Sequence, residues 1–442
     1  MQYLIRDWMN VAVKNQNEYE KYAVYIAEKG TASERKILLD NIEKTRNFDI
    51  IPKIVNEFAS HSVIREDIKV VRITEEQKLD YENVVNLLNF IIENRPEILT
   101  EKVGDGIVAN AFIQTVAEHN LMSYIANNKS VDYFSLGKGS DNFAYKLSEK
   151  GSDQDVIIML NLLKDPEILR IEGETKHREL GEDEKDYTDY SVKTHVINIL
   201  AERTNVIPAL LDYIEKNNRA DLLKLEKEEK THEHTNSYEN IFYEKVPTTD
   251  VYTTSTTSAI QSILVNGNTD SIIKLFDLLK KNNDIQTLEE IVPEFIYSLG
   301  ARGPFLACYK EHRVKDIVMK ILDVLENTDP TILNLEIVRK ISVEKTAEYF
   351  TPIEKPFSLL FAKTKEDIDR GGRTVAEAIT ELASRLTTDQ EELEIQRKLV
   401  EMAKDNRVYR SVHDALKVYG YEETKKELEE QTDKMMKGLL RK

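Results

Sequence analysis

Apolar residues recur at spacings of three and four positions through most of this chain, which is the pattern of helices with one buried face. The spacing is regular at Ile272, Phe276 and Leu279, for example. Strict alternation over strand-like lengths is rare. Residues 67–74 (DIKVVRIT) are the best candidate strand, and a short helix explains them equally well. The pattern therefore predicts a protein built almost entirely of helices.

A recurring unit is visible in this pattern. Four segments share an apolar helix that ends in a polar turn and a further Ile; they begin at Val84 (VVNLLNFIIENRPEI), Val156 (VIIMLNLLKDPEI), Ile272 (IIKLFDLLKKNNDI) and Ile317 (IVMKILDVLENTDPTI). A second helical stretch follows each one. The last two units begin 45 residues apart, within the period of helical-hairpin repeats.

This alternation of two helices, with proline near the turns, resembles HEAT and armadillo repeat proteins over residues 82–342. The resemblance implies an all-α fold, an irregular right-handed α-solenoid of helical hairpins with long loop insertions. A multi-helix bundle with a similar pattern is the alternative, because Leu- and Ile-rich helices ending in Asn or Pro occur in many folds.

Three segments break the helical pattern and are expected to be ordered loop insertions. Residues 136–152 contain three glycines, residues 171–190 are rich in acids, and residues 229–257 are polar and rich in Thr, Tyr and His. Long segments of this kind are often functional. We therefore expect three regions: an N-terminal helical region at 1–80, a HEAT-like array at 81–350 that carries the insertions, and a C-terminal region at 351–442 with a capping helix.

Composition narrows the function classes. The chain has only 15 Gly and 10 Pro in 442 residues, too few for a β-rich fold or a set of phosphate loops, and its formal charge is −18. A field of that sign opposes the approach of a polyanion, which disfavours nucleic-acid binding and favours a partner with a basic surface. Cys308 is the only cysteine, which excludes a disulfide framework and a CxxC zinc site. No apolar run is long enough to span a membrane, so we expect a cytoplasmic protein.

Candidate binding residues are few. His232 and His234 lie two residues apart, so in an extended segment their imidazoles would face the same side and could share a metal with Glu229 or Glu239. Without an HExxH motif, an exposed loop is the favoured interpretation, and we predict no metal and no cofactor. The glycine-rich segment from Leu136 lacks the other motifs of a kinase, and we interpret it as a turn.

Two Arg-Gly turns are the other candidates for binding. Arg302 precedes Gly-Pro, whereas Arg370 and Arg373 flank a Gly-Gly pair, with Thr374 placed to cap the next helix. Free backbone N–H groups beside a guanidinium can hold a phosphate or carboxylate. The alternative is an ordinary helix–helix turn.

These patterns predict a protein–protein interaction scaffold or adaptor of the α-solenoid type that binds a basic partner. The alternative is an enzyme or small-ligand binder with a pocket between the helices and the long loops. No catalytic residue can be chosen, because G-x-S-x-G and Walker A motifs are both absent.

Overall fold

The computed structural model describes residues 16–60, 75–128, 131–180, 187–235, 249–301, 313–339, 346–349 and 369–439. Most of them are helical, as the periodicity predicts. The α-helices, in chain order, are α1 (Gln16–Lys29), α2 (Ala32–Thr45), α3 (Ile50–Ser60), α4 (Glu75–Asn94), α5 (Glu118–Asn127), α6 (Phe143–Lys150), α7 (Asp153–Leu162), α8 (Val196–Ala201), α9 (Ile207–Asn217), α10 (Ala259–Asn266), α11 (Thr269–Lys281), α12 (Ile285–Ala301), α13 (Val314–Asn327), α14 (Val375–Leu386), α15 (Asp389–Met402), α16 (Tyr409–Tyr419) and α17 (Glu422–Leu439). No helix within these ranges combines the length and apolarity that a membrane crossing needs. Residues 67–74, Arg302 and Cys308 lie outside the described ranges.

The chain divides into two compact units. The first contains residues 1–175 and 193–200, and the second contains residues 176–192 and 201–442. Each has its own apolar core, with Phe112 and Phe143 fully buried in the first and Phe276 and Ile321 fully buried in the second. The three-region division expected from the sequence stays a prediction.

Polar side chains fix several helix starts. Thr31, Ser258, Thr374 and Thr388 each form a capping box, in which the hydroxyl accepts the backbone N–H three residues on and a Glu or Gln side chain accepts the N–H of the cap residue. The expected cap at Thr374 is therefore confirmed.

The structure is not purely all-α, and this part of the prediction is wrong. The strands are β1 (Lys102–Val103), β2 (Gly106–Ile107), β3 (Glu172–Leu180), β4 (Tyr187–His195), β5 (Glu226–Thr235), β6 (Thr249–Ser258), β7 (Glu336–Arg339), β8 (Thr346–Tyr349) and β9 (Asp369–Thr374). They form a five-stranded sheet in the order β3-β4-β5-β6-β8, together with the pairs β1-β2 and β7-β9. The pairs β1-β2, β5-β6, β6-β8 and β7-β9 are antiparallel.

The three expected loop insertions correspond to these elements. Most of residues 171–190 belongs to strands β3 and β4, and residues 229–257 belong to strands β5 and β6 except for the part outside the described ranges. Residues 136–152 form a turn, a short 3₁₀ helix and α6. Gly137 in that turn has a φ of +86°, and a Cβ there would lie 2.5 Å from the carbonyl oxygen of Asp141. Only glycine fits such a position without strain.

A short 3₁₀ helix with two buried apolar residues precedes each of four strand pairs. The 3₁₀ helices are Pro96–Thr100, Pro166–Arg170, Ala220–Lys224 and Pro330–Asn334. Three of them begin with proline, which is tolerated at the first position because no N–H is needed there. The buried pairs are Ile98-Leu99, Ile168-Leu169, Leu222-Leu223 and Ile332-Leu333.

One hydrogen bond then closes each strand pair, and we call it the base hydrogen bond. The residue after the 3₁₀ helix accepts it, and the first residue of the helix that follows the strands donates it. The four bonds run from Val108 N to Glu101 O (3.0 Å), Val196 N to Ile171 O (3.0 Å), Ala259 N to Leu225 O (3.2 Å) and Val375 N to Leu335 O (2.9 Å). The chain therefore leaves and rejoins its helices at one point each time.

Three of the four similar segments noted in the sequence lead into this arrangement. Those from Val84, Val156 and Ile317 lead into a 3₁₀ helix and a strand pair, whereas the one from Ile272 runs directly into α12. The equivalent turn that the pattern missed is residues 219–224, which contains neither Pro nor Ile.

A buried polar network attaches the start of α17 to α15. Gln396 is fully buried. Its Nε2 donates to Glu392 Oε1 (2.9 Å) and to the carbonyl of Tyr419 (3.2 Å). Its Oε1 accepts from Tyr421 N (3.0 Å) and from Thr424 Oγ1 (2.8 Å). Every hydrogen-bonding position of this amide is used, so no other residue type can replace it fully.

We predict that Gln396→Leu lowers the free energy of unfolding by about 1–3 kcal/mol, because it leaves buried partners unsatisfied. Urea denaturation followed by circular dichroism measures this. The control is Gln286→Leu at an exposed position of α12, which should change the free energy by less than about 0.5 kcal/mol. Equal effects of the two substitutions would show that the network contributes nothing.

Candidate functional site

Strands β3 to β6 form the candidate site. Beyond Gly173, every residue of β3 is half-buried or exposed, and Thr194 is the one buried residue of β4. None of the described side chains of β5 and β6 is buried. A sheet that lies on a core buries one face. These strands instead present side chains to solvent on both faces.

Two parallel rows of side chains cross the four strands on one face. The register pairs Lys230 with Thr254 and His232 with Tyr252. Since side chains alternate between faces, positions two apart along a strand share a face. The first row is Lys176, Ser191, Lys230 and Thr254, and the second row is Arg178, Asp189, His232 and Tyr252.

An ion pair joins β3 to β4 in the second row. Arg178 donates to both oxygens of Asp189, from Nε at 2.6 Å and from Nη2 at 2.8 Å. This two-point geometry is the strong form of an arginine–carboxylate contact. The hydrogen bonds from Arg178 lower the pKa of Asp189, and the hydrogen bond to Asp189 raises the pKa of Arg178.

Both predicted histidines lie in this region, on a strand rather than in a loop. The His232 ring stacks on Tyr252, with centroids 4.3 Å apart and planes at 4°, and its Nδ1 lies 4.0 Å from Asp189 Oδ2. The His234 ring stacks on Tyr187 with centroids 4.7 Å apart. The two imidazole centroids are 6.4 Å apart. Each imidazole is therefore a partner of a tyrosine.

Tyr187 contacts both histidines and the arginine of the ion pair. The guanidinium carbon of Arg178 lies 4.2 Å from the centroid of the Tyr187 ring, which is a cation–π contact. The same ring meets His232 edge-on at 5.9 Å. Arginine, tyrosine and histidine side chains are thus held by one another across three strands.

A groove of about 600 Å³ lies on this face. It is lined by three consecutive residues from each of the four strands: 176–178, 189–191, 230–232 and 252–254. The first and last residues of each triplet belong to the two rows, so the rows form the walls of the groove. The side chains of the middle residues lie on the other face, so their backbone forms the floor. A second cavity, of about 250 Å³, lies in the first unit between Ile125, Phe134 and Leu163 and carries no cluster of titratable groups.

Within the described ranges, no three His, Cys, Asp or Glu side chains come together as metal ligands. Two carboxylates were considered as further ligands beside the histidines. Glu229 is three residues from His232 on β5, so its side chain lies on the opposite face of the sheet. Glu239 lies outside the described residues.

The arginines of the predicted anion sites lie elsewhere. Arg373 forms an ion pair with Glu381. At the start of α14, the N–H groups of Thr374 and Glu377 are engaged in the capping box, and that of Val375 in the base hydrogen bond. Arg370 is paired with Val338 in the β7-β9 ladder, and only its backbone is described. Arg302 lies outside the described ranges. Anion binding at these turns stays a prediction, and the structure does not bring these residues to the histidines.

The first unit contains a buried pair of carboxyl groups, which is the other place to look for chemistry. Glu118 accepts hydrogen bonds from Gln114 N (2.5 Å) and Ser152 N (2.7 Å). Asp155 bonds His119 Nδ1 at 3.0 Å through one oxygen and accepts from the Ser152 hydroxyl at 2.8 Å through the other. The hydroxyl thus points to the carboxylate rather than to the imidazole. This is a helix cap and not a Ser-His-Asp nucleophile.

Burial raises the pKa of Glu118, and the nearby Asp155 raises it further, although the two backbone hydrogen bonds act in the opposite direction. Their hydrogen bonds join Glu118 and His119 of α5 to Ser152 and Asp155 at the start of α7. They therefore stabilise the junction of α5 and α7.

Comparisons with known proteins give no match: no family model, no curated protein and no solved structure is similar to this chain.

We predict that the pKa of Asp189 lies below the ordinary value for aspartate, about 3.9, and returns toward it in Arg178→Gln. The reason is that the hydrogen-bond donors that favour the charged form are lost. Because the folded-state pKa is lowered, this contact stabilises the fold at pH values above the ordinary range, and its contribution is lost as the pH falls through the lowered value. NMR titration of the Asp189 carboxyl measures this pKa in the wild type and in Arg178→Gln.

Asp405 is the internal control for that titration. Its pKa is lowered by hydrogen bonds from Arg407 instead, so it should stay low in Arg178→Gln. A pKa of Asp189 that does not move in the variant would contradict the assigned cause.

We also predict that Glu118 makes stability fall with rising pH. Its pKa is raised in the folded state. Its contribution is therefore complete below the ordinary glutamate pKa of about 4.3 and is lost as the pH rises through the raised value. The unfolding free energy of the wild type minus that of Glu118→Gln, measured in urea at several pH values above 4, should decrease as the pH increases, because glutamine does not titrate. A constant difference would show that Glu118 titrates normally.

Proposed function

We propose that this protein is an interaction scaffold that binds another protein through the exposed face of strands β3 to β6.

The observation that carries the proposal is the difference in length between strand pairs that share the same base. The base hydrogen bond at Glu101 and Val108 is spanned by β1 and β2, which have two residues each. The equivalent bond at Leu225 and Ala259 is spanned by β5 and β6, which have ten residues each. Since the short pair already returns the chain to its helices, the fold does not require the long one.

The side chains of the long strands suit a binding surface. Tyrosine and arginine are enriched at protein interfaces and often dominate the binding energy. Tyr252 is 44% exposed and Leu180 is 66% exposed. Tyr187 and Tyr252 are also held in place by stacked histidines, so little conformational freedom is lost when a partner binds.

The repeated arrangement of helix, 3₁₀ helix and strand pair supports a further part of the proposal. We propose that these are copies of one structural unit, since four of them share the buried apolar pair and the base hydrogen bond. Repeat proteins use such units to present a binding surface. The α-solenoid architecture itself stays a prediction. The net charge of −18 favours approach by a partner that is basic overall.

We expect that shortening the long strand pair abolishes binding but not folding. In this variant, Lys102–Gly106 replaces residues 226–257, and Ser258 is kept because it caps α10. Proteins captured from cells by wild type and variant are compared by quantitative mass spectrometry. The affinity of a purified candidate partner, measured next, should fall at least tenfold. Helical circular dichroism should be retained.

A second variant tests the side chains of the sheet face without shortening any strand. Tyr187→Ala combined with Tyr252→Ala should cost about 2 kcal/mol of binding or more if these are central contacts, roughly 30-fold in affinity. The matched control is Val265→Ala with Val418→Ala, which removes side chains that are 53% and 66% exposed on helices. The proposal is wrong if the control weakens capture while the sheet variants leave it unchanged.

A further inference from the structure

We propose that the groove between the two rows binds an extended acidic segment of the partner protein. This inference rests on the proposed function and names the chemistry that the sheet face recognises. It follows from the charge, the shape and the lining of the groove.

The charge of the groove is opposite to that of the chain. Lys176, Arg178 and Lys230 line it, against the single carboxylate of Asp189. In the whole sequence, acidic residues outnumber Lys and Arg by 79 to 61. Asp189 and Arg178 compensate each other through two hydrogen bonds, so the excess positive charge of the lining comes from Lys176 and Lys230.

The two walls offer different contacts. In the first wall, Lys176 and Lys230 alternate with the hydroxyls of Ser191 and Thr254. Lys230 also forms an ion pair with Glu228, which lies outside the groove. The second wall offers the guanidinium of Arg178 and the stacked rings of His232 and Tyr252. An incoming carboxylate or phosphate would find cations and hydroxyl donors on one side and flat rings on the other.

The dimensions suit an extended peptide. Two residues along a strand separate the walls by about 7 Å, and four strands span about 14 Å at a spacing of about 4.8 Å. An extended chain advances about 3.4 Å per residue, so about four residues fit across the sheet. The volume of about 600 Å³ is within the range of sites for ligands of that size.

The probe is a fluorescein-labelled peptide with four consecutive glutamates between Gly-Ser ends, compared with the same peptide carrying four glutamines. Fluorescence anisotropy with the full-length protein should show binding of the glutamate peptide at least tenfold tighter than of the glutamine peptide. A version with two phosphoserines distinguishes carboxylate from phosphate as the preferred group.

Lys176→Gln with Lys230→Gln should weaken binding of the glutamate peptide at least tenfold. The matched control is Lys216→Gln with Lys417→Gln, on exposed faces of α9 and α16. It changes the net charge equally, so it corrects for the repulsion between an acidic chain and an acidic probe, and it should change the affinity less than twofold. All four lysines are exposed, and urea unfolding verifies that both variants fold.

Asp189→Asn should act in the opposite direction and tighten binding severalfold, because it removes the carboxylate from the wall and leaves the Arg178 donors to the peptide. A merely structural role for Asp189 would weaken binding instead. Equal losses in the groove and control pairs would overturn the groove as the site.

The outcomes separate the two proposals. If no acidic peptide binds but the shortened strand pair still loses the partner, the sheet is the interaction surface and the acidic segment is wrong. If the shortened variant keeps the partner, the proposed function itself fails, whatever the peptides show.

Discussion

The base hydrogen bond is the constraint on which the rest of this structure depends. It holds the two ends of each strand pair about 3 Å apart, directly beside two apolar residues buried in the helical core. The helices before and after a strand pair are therefore held in the same way whether each strand has two residues or ten. Since the entropy cost of closing a loop rises only slowly with its length, long extensions are tolerated once their ends are fixed.

The helices could be predicted from the sequence because their apolar residues face a core. The strands could not, for the same physical reason: β5 (EKEEKTHEHT) has no buried side chain among those described, so it shows no alternation of apolar and polar residues. The signal that was available lies in β6 (TDVYTTSTTS), because threonine and tyrosine favour strands even when they are exposed.

The candidate site was predicted in part. The histidine pair was selected, and its i, i+2 spacing does place both rings near one another on one face. Their partners Arg178, Tyr187 and Tyr252 were not selected, because they come from other strands and only the register brings them together. Pro96, Pro166 and Pro330 mark three of the four turns, but the pattern predicted a second helix after each, not a strand pair. Residues 219–224 carry no proline and were missed.

Strand order also determines how this sheet behaves toward other copies of itself. An outer strand with unpaired backbone groups can add strands from a neighbouring molecule. Among the described strands, the outer ones are β3, whose residues 176–179 are Lys, His, Arg and Glu, and β8. The threonine-rich β6, whose single charged residue is Asp250, lies inside, between β5 and β8. The charged side chains of β3 thus oppose the addition of further strands at that margin, although so much of the sheet is open to water.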